Sequence, residues 1–243
     1  MNIALILSGG TGTRLGGDIP KQYIKVRGRM LIAFCLDMFA AHDRIDGIWI
    51  VAAEGWQEEI IRECRLCGIP EDSLKGFSLP GQTRQLSILN GLRDIEKYAG
   101  SLCNNDNDDA VVVIHDAARP NLTAKYVDRC LDALEGFDGV MPVLPMKDTV
   151  YYSEDGKSVD SLLDRGRIYA GQAPEVYRLN SYLRANEKLL PDEILKINGS
   201  TEPAVLAGLK VAMIPGDENN YKVTTKDDMS RFEMSINQSD RVK

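Results

Sequence analysis

Four short apolar runs, unbroken by charged residues, constrain this chain more than any other feature. They are Asn2 to Ser8, Gly47 to Ala52, Ala110 to His115 and Gly139 to Leu144. A strand with one wet face alternates apolar and polar residues, whereas an unbroken run belongs to a strand buried on both faces. Segments of helical spacing separate the runs. Leu31 to Ala41 places Leu31, Phe34, Cys35 and Met38 on one stripe, and Trp56 to Cys67, Gln82 to Tyr98 and Thr123 to Glu135 behave similarly. A short strand near Phe77 fits between the second and third of these. Strands alternating with helices predict an α/β fold, a mostly parallel sheet flanked by helices on both faces.

The 243 residues suffice for one large α/β domain or two small ones. No internal repeat or linker divides them, so the chain is read as a single domain over 1–243 with a protruding arm at about 145–170. In the arm, Thr149 to Tyr152 and Ser158 to Leu163 flank Asp155-Gly156, the turn signal of a β-hairpin. An isolated two-stranded ribbon is marginal in water. The arm is therefore expected to lean on a second copy of the chain, giving a homodimer. Beyond it come a helix near Asn180 to Leu190, a strand at Leu209 to Ile214 and a last helix from about Lys226.

Composition narrows the partners. Lys and Arg number 29 against 36 Asp and Glu, a net charge of −7. That balance argues against a nucleic-acid partner but leaves room for a local basic pocket. The apolar run at the N-terminus is too short to span a bilayer and no basic region precedes it, so no membrane partner and a cytoplasmic location are expected. Of the five cysteines only Cys64 and Cys67 form a C-x-x-C pair, and His42 and His115 do not stand at ligand spacing to them. Reduced thiols on a helix are the expectation, not a zinc site.

Ligands of open α/β sheets sit beyond the carboxyl ends of the strands, so three segments there matter most. The first is Gly9-Gly-Thr-Gly-Thr-Arg-Leu-Gly-Gly, followed by Pro20-Lys21-Gln22. Glycines let the backbone approach an anion and offer N–H groups to phosphate oxygens. The dinucleotide fingerprint G-x-G-x-x-G fails at Leu15, which disfavours a nicotinamide dehydrogenase, and the G-K-[ST] of a P-loop is missing. Arg14 within the turn and Lys21 seven residues on suit a triphosphate. The plainer alternative is a tight turn with basic residues at the surface.

The second segment is Ile114-His-Asp-Ala-Ala-Arg-Pro. Asp116 emerges just past the sheet edge, where one carboxylate and substrate phosphates commonly hold magnesium, and Arg119 is placed to grip a second phosphate. Alternatively Asp116 caps the next helix and pairs with Arg119. His115 is read as a packed residue, not a base. The third segment is Asn219-Asn-Tyr-Lys-Val-Thr-Thr-Lys-Asp-Asp, with Lys222 on a short strand returning to the first loop and Thr225 capping the last helix.

Taken in order, G-G-T-G-T-R-x-G with P-K-Q, then H-D-A-A-R-P, then N-x-K-V-T-T with D-D resemble the cytidylyltransferases that act on 2-C-methyl-D-erythritol 4-phosphate or D-ribitol 5-phosphate. The resemblance covers essentially the whole chain and implies a Rossmann-like nucleotidyltransferase fold with a hairpin dimerisation arm. It implies CTP and a polyol phosphate as substrates, a CDP-polyol and pyrophosphate as products, and Mg²⁺ as cofactor. Gly10, Thr11, Gly12 and Arg14 are then expected around the triphosphate. Arg14, Lys21 and Lys222 are the implied catalytic cations, the two lysines stabilising charge on the α-phosphate. Pro80-Gly-Gln-Thr-Arg-Gln-Leu-Ser matches the base-recognition loop, assigning Gly81, Gln82 and Ser87 to cytosine. Asp116 is implied near the metal and the sugar phosphate. With Arg119 it joins the acceptor side, and Thr149 and Arg165 reach the neighbouring subunit's acceptor phosphate.

Two departures concern the acceptor. The erythritol branch has T-P-Q where this chain has Ala173-Pro174-Glu175, and T-D-E where it has Ser200-Thr201-Glu202. Tyr169-Ala-Gly-Gln-Ala-Pro is closer to the ribitol enzymes, whereas A-A-R-P is closer to the erythritol branch, so the acceptor stays open at this point. Competing readings are a sugar-1-phosphate nucleotidyltransferase and a nucleotide-binding protein without catalysis. The second is disfavoured by the retained lysines and Asp116, since nucleotide binding alone needs only the glycine loop.

Overall fold

The computed structural model describes residues 1–10, 19–102 and 110–239. Strand β1 (Asn2–Leu7) is followed by a small antiparallel pair, β2 (Lys25–Val26) and β3 (Arg29–Met30). The chain then alternates through α1 (Leu31–Ala40), β4 (Gly47–Val51), α2 (Glu54–Leu66), β5 (Leu74–Ser78), α3 (Arg84–Leu102), β6 (Val111–Asp116) and α4 (Ala124–Asp132). Strand β7 (Gly139–Pro145) leads into β8 (Val150–Tyr152) and β9 (Ser161–Leu163). After these come β10 (Tyr169–Gly171), β11 (Glu175–Arg178), α5 (Leu179–Glu187), α6 (Glu202–Leu206), β12 (Val211–Pro215) and α7 (Lys226–Ser239).

The central sheet runs β10-β7-β11-β6-β1-β4-β5, with β12 also paired in parallel to β7. The unbroken apolar runs fall at its centre, where every residue of β4 and β6 is buried. Their side chains alternate between two cores. Ala4, Ile6, Ile48, Ile50 and Val113 pack with Ile32, Phe39, Ile60 and Val127 of α1, α2 and α4. Ile3, Leu5, Val112 and Ile114 pack with Ile88, Leu92 and Tyr182 of α3 and α5. Each such side chain contributes about 1.5–3 kcal/mol by leaving water, so both faces hold the sheet in one register.

Two features depart from the sequence expectation. Strand β11 lies antiparallel between β6 and β7, pairing Val176 with both Val113 and Val140. Its four residues directly follow Pro174, too short a run to announce itself. The hairpin β8–β9 forms its own two-stranded sheet, but the return strand starts at Ser161, not Ser158. The Asp155 carboxylate accepts from the N–H groups of Lys157 (2.7 Å) and Ser158 (2.9 Å), winding the connection into a wider loop.

Among the described residues no helix is long and apolar enough to cross a membrane. Cys64 is buried and Cys67 half-buried at the end of α2, both as free thiols, and burial pushes the Cys64 thiol up to about 11.

Candidate active site

β1 and β6 are parallel neighbours with Leu7 opposite Asp116, so both strands end at one level. The loop leaving β1 meets the loop before α3 there: Gly9 permits the approach to Pro80, and Gly81 permits that loop to fold tightly onto α3. A Cβ on Gly9 would lie 2.5 Å from Pro80 Cβ, and one on Gly81 would lie 2.4 Å from Leu86 Cβ. Between the loops opens a chamber of about 390 Å³. Gly10, Lys21, Gly81, Gln82 and Ser87 line it, with Asp116 and Lys222 at its far wall.

The chamber's walls are tied down by hydrogen bonds. Gln22 donates from Nε2 to the carbonyls of Ser8 and Gly10, both at 2.7 Å. The Gly81 N–H donates to Ser87 Oγ at 3.0 Å, and that hydroxyl donates to the Thr83 carbonyl at 2.9 Å. Lys21 Nζ donates to the Val223 carbonyl at 2.7 Å, joining the P-K-Q segment to the stretch that carries Lys222. That stretch is an extended loop, not the expected short strand. A backbone bond from Val223 N–H to the Ala118 carbonyl, at 2.8 Å, ties it to the loop after β6. Thr225 caps α7 as expected, accepting from Asp228 N–H at 3.1 Å.

Asp116 is the electrostatic centre. Arg84 Nη2 donates to its Oδ1 at 3.2 Å, while Lys222 Nζ (3.1 Å) and Arg119 Nε (3.4 Å) share Oδ2. Burial alone would raise this acid. Attraction from Arg84, Lys222 and Arg119 outweighs burial and holds the carboxyl well below the usual range. Three cations around one carboxylate leave surplus positive charge at the wall, a setting for anionic ligands. His115 beside it is lowered to about 4, chiefly by burial, and packs edge-on against Phe39, so it is neutral at pH 7.

A second chamber, also about 390 Å³, lies on the other side of the same wall. The two chambers share Arg84, Asp116 and Lys222. Arg119, Glu175, Ser200 and Thr201 line the second. Arg119 is further fixed by donating from Nη1 to the Asn220 carbonyl at 2.8 Å.

The structure thus gathers Gly10, Lys21, Gly81, Gln82, Ser87, Asp116 and Lys222 around one cavity, with Arg119 in the adjoining one. Thr11, Gly12 and Arg14 lie outside the described residues. Thr149 and Arg165 sit at the base of the hairpin and line neither chamber of their own chain. There Arg165 donates to the Lys147 carbonyl at 2.8 Å. Sequence reasoning missed Arg84, although it stands inside the P-G-Q-T-R motif; it marked the segments of Glu175, Ser200 and Thr201 as departures on the acceptor side but did not join them into one polar floor. The role given to Asp116 as a metal ligand does not suit the geometry. Both of its oxygens are engaged by cations, and no cluster of three or more His, Cys, Asp or Glu occurs among the described residues. This donor set does not fit an ion held by the protein; a magnesium ion would take its ligands from the nucleotide's phosphates.

Comparisons with known proteins bear on the family and the fold. Residues 2–238 match the family model IspD, 2-C-methyl-D-erythritol 4-phosphate cytidylyltransferase. A Rubrobacter xylanophilus protein of that description is 35% identical over 232 residues, covering 93% of this chain and 91% of its own. One from Thermotoga neapolitana is 28% identical with both chains fully covered. In structure, 4-diphosphocytidyl-2C-methyl-D-erythritol synthase from Anaerococcus prevotii superposes with a TM-score of 0.78 at 24% identity, over 97% of this chain and 96% of that one.

Proposed function

The chain belongs to the 2-C-methyl-D-erythritol 4-phosphate cytidylyltransferase family, and on that premise we propose how its two chambers divide the transfer of a cytidylyl group from CTP to that polyol phosphate. The first chamber takes CTP, with Gly81, Gln82 and Ser87 at the base and Gly10 and Lys21 at the phosphates. The second takes the acceptor. The observation that carries this reading is the shared wall of Arg84, Asp116 and Lys222, because it puts the acceptor's phosphate beside the α-phosphate of the nucleotide. A phosphate oxygen of the acceptor attacks the α-phosphorus. A new P–O–P bond forms as the bond to the β-phosphate oxygen breaks, and pyrophosphate leaves. The nucleophile is already anionic, so no general base is needed. Catalysis is positioning and charge stabilisation, with Lys21 and Lys222 facing the charge that builds on the α-phosphate oxygens.

Incubating the protein with CTP, UTP, dTTP or ATP against 2-C-methyl-D-erythritol 4-phosphate and D-ribitol 5-phosphate tests this directly. Mass spectrometry should detect the CDP-linked methylerythritol as the main product. A purine nucleotide used as well as CTP, or no pyrophosphate release with any acceptor, would refute it.

The hairpin completes the proposal. Tyr151, Tyr152, Val159 and Leu162 are all more than half exposed on a ribbon with no sheet beneath it, which supports a homodimer formed through the arm. In that dimer Thr149 and Arg165 serve the partner's acceptor chamber. Arg165→Ala should then raise acceptor KM about ten- to a hundredfold with CTP affinity nearly unchanged, the worth of a charge-assisted contact. Mixing Arg165→Ala with Lys21→Ala subunits should restore activity, since half of the heterodimer's sites would hold both residues. A mixture no more active than its parents rules out the crossed site.

A further inference from the structure

The floor of the acceptor chamber holds a carboxylate that takes no part in the proposed transfer step. Glu175 stands at the start of β11 and is almost buried, yet among the described residues no cation forms a salt bridge with it, although Arg84 feels its charge. Its oxygens are met by hydroxyls. Ser200 Oγ donates to Oε1 in a short bond, and Tyr177 OH (2.9 Å) and Thr201 Oγ1 (3.2 Å) approach Oε2. Burial, with Glu175 alongside, raises the Tyr177 phenol well above its usual range, so it stays a donor. A hydroxyl has one proton and two lone pairs. Tyr177 OH also lies 3.0 Å from Thr201 Oγ1, close enough to donate to it, and Thr201 Oγ1 lies 3.1 Å from Met141 Sδ. Once the protons of Ser200 and Thr201 point inward at Glu175, at least one lone pair on each hydroxyl remains for whatever occupies the chamber that both residues line. Arg84 and Lys222 line the same chamber, and Arg84 feels the charge of both Asp116 and Glu175. The cations suit a phosphate, and the hydroxyl lone pairs suit hydroxyl donors.

We propose that Glu175 is a positioning residue that sets acceptor selectivity, turning Ser200 and Thr201 into hydrogen-bond acceptors for the hydroxyls of a polyol phosphate. The proposal rests on the second chamber being the acceptor site. It also gives a physical reading of the two departures from the erythritol pattern. Positions 175 and 201 touch, and this chain has Glu and Thr where that pattern has Gln and Asp. The carboxylate has moved across the contact from the loop before α6 to β11, and the chamber has kept its single acid on the floor.

Glu175→Gln replaces one accepting oxygen by an N–H donor, which forces at least one hydroxyl to turn its proton outward. Acceptor KM for 2-C-methyl-D-erythritol 4-phosphate should rise about tenfold, with kcat and CTP KM each within about twofold. The preference over D-ribitol 5-phosphate should narrow by a similar factor. Thr201→Val should reproduce part of the acceptor effect. Because Glu175 acts through that hydroxyl, the double variant should be no worse than Glu175→Gln alone. A merely structural role would lower the melting temperature without separating the two substrates. Acceptor KM unchanged within twofold in Thr201→Val, or equal losses for CTP and acceptor in Glu175→Gln, overturns the proposal. If Glu175→Gln fails to fold, the Thr201→Val result decides. Wild-type protein that gives no CDP product with either polyol phosphate refutes the acceptor-site reading itself, a failure visible before any variant is compared.

Discussion

Lys21→Ala should slow turnover by about 10²–10³-fold, a loss of about 2.7–4 kcal/mol of transition-state stabilisation, while CTP binding stays within about tenfold. The ammonium lines the nucleotide chamber and donates to the Val223 carbonyl, next to Lys222 in sequence. Lysine is a compact point charge, and in the proposed reaction Lys21 faces charge that grows only as the α-phosphorus becomes five-coordinate. In the proposed reading, ground-state CTP keeps Gly10 and Lys222 when Lys21 is removed, so affinity is expected to be the smaller loss. Lys222→Ala should cost a similar factor in turnover, since its Nζ lies on the wall common to both chambers. Stopped-flow binding of CTP beside steady-state turnover separates the two effects. A rise in CTP KM at unchanged kcat would mean that Lys21 contributes uniform binding only.

How far the sequence foretold this site depends on where each residue's signal lies. The central strands were legible because burial on both faces leaves unbroken apolar runs, and Asp116 was legible because it ends the strongest of them. Lys21 and Lys222 were named from motifs, and their 2.7 Å link through Val223 follows from a contact 202 positions apart that no local pattern encodes. Arg84 escaped for a different reason. On sequence alone it is one more basic residue in the first turn of a helix, and it gains meaning only because α3 packs on β1 and delivers it to Asp116. Glu175, Ser200 and Thr201 come from two chain segments that lie apart in the sequence. Strand β11 was invisible as a strand, so the motif comparison put both segments on the acceptor side without showing that they meet. The return strand of the hairpin was started too early because the Asp155 side chain, not backbone alternation, sets the width of the loop.

Asp116→Asn should expose what the three cations cost each other. In the wild-type protein the carboxylate, only 11% exposed at its side chain, takes charge-assisted bonds from Arg84, Lys222 and Arg119. Removing one partner of a buried ion cluster typically costs about 3–5 kcal/mol. Arg84 and Lys222 are 37% and 35% exposed, so water screens part of the repulsion and about 2 kcal/mol is the expected loss. For a chain of this size that lowers the melting temperature by about 4–8 °C. The pH dependence has a definite sign. Burial raises the Asp116 pKa, but Arg84, Lys222 and Arg119 together bring it below the ordinary carboxylate value of about 3.9. Its contribution is therefore complete at pH 7 and fades as the pH falls below about 4, toward the folded-state value. The stability gap between wild type and Asp116→Asn should close over that same range. An anion offers a second check, since pyrophosphate can replace the missing carboxylate among the cations. It should raise the melting temperature of the variant more than that of the wild type, by linkage to the state that binds it. Equal melting temperatures for the two proteins at pH 7 without ligand would show that Asp116 does not compensate these cations, and the charge surplus assigned to the shared wall would have to be withdrawn.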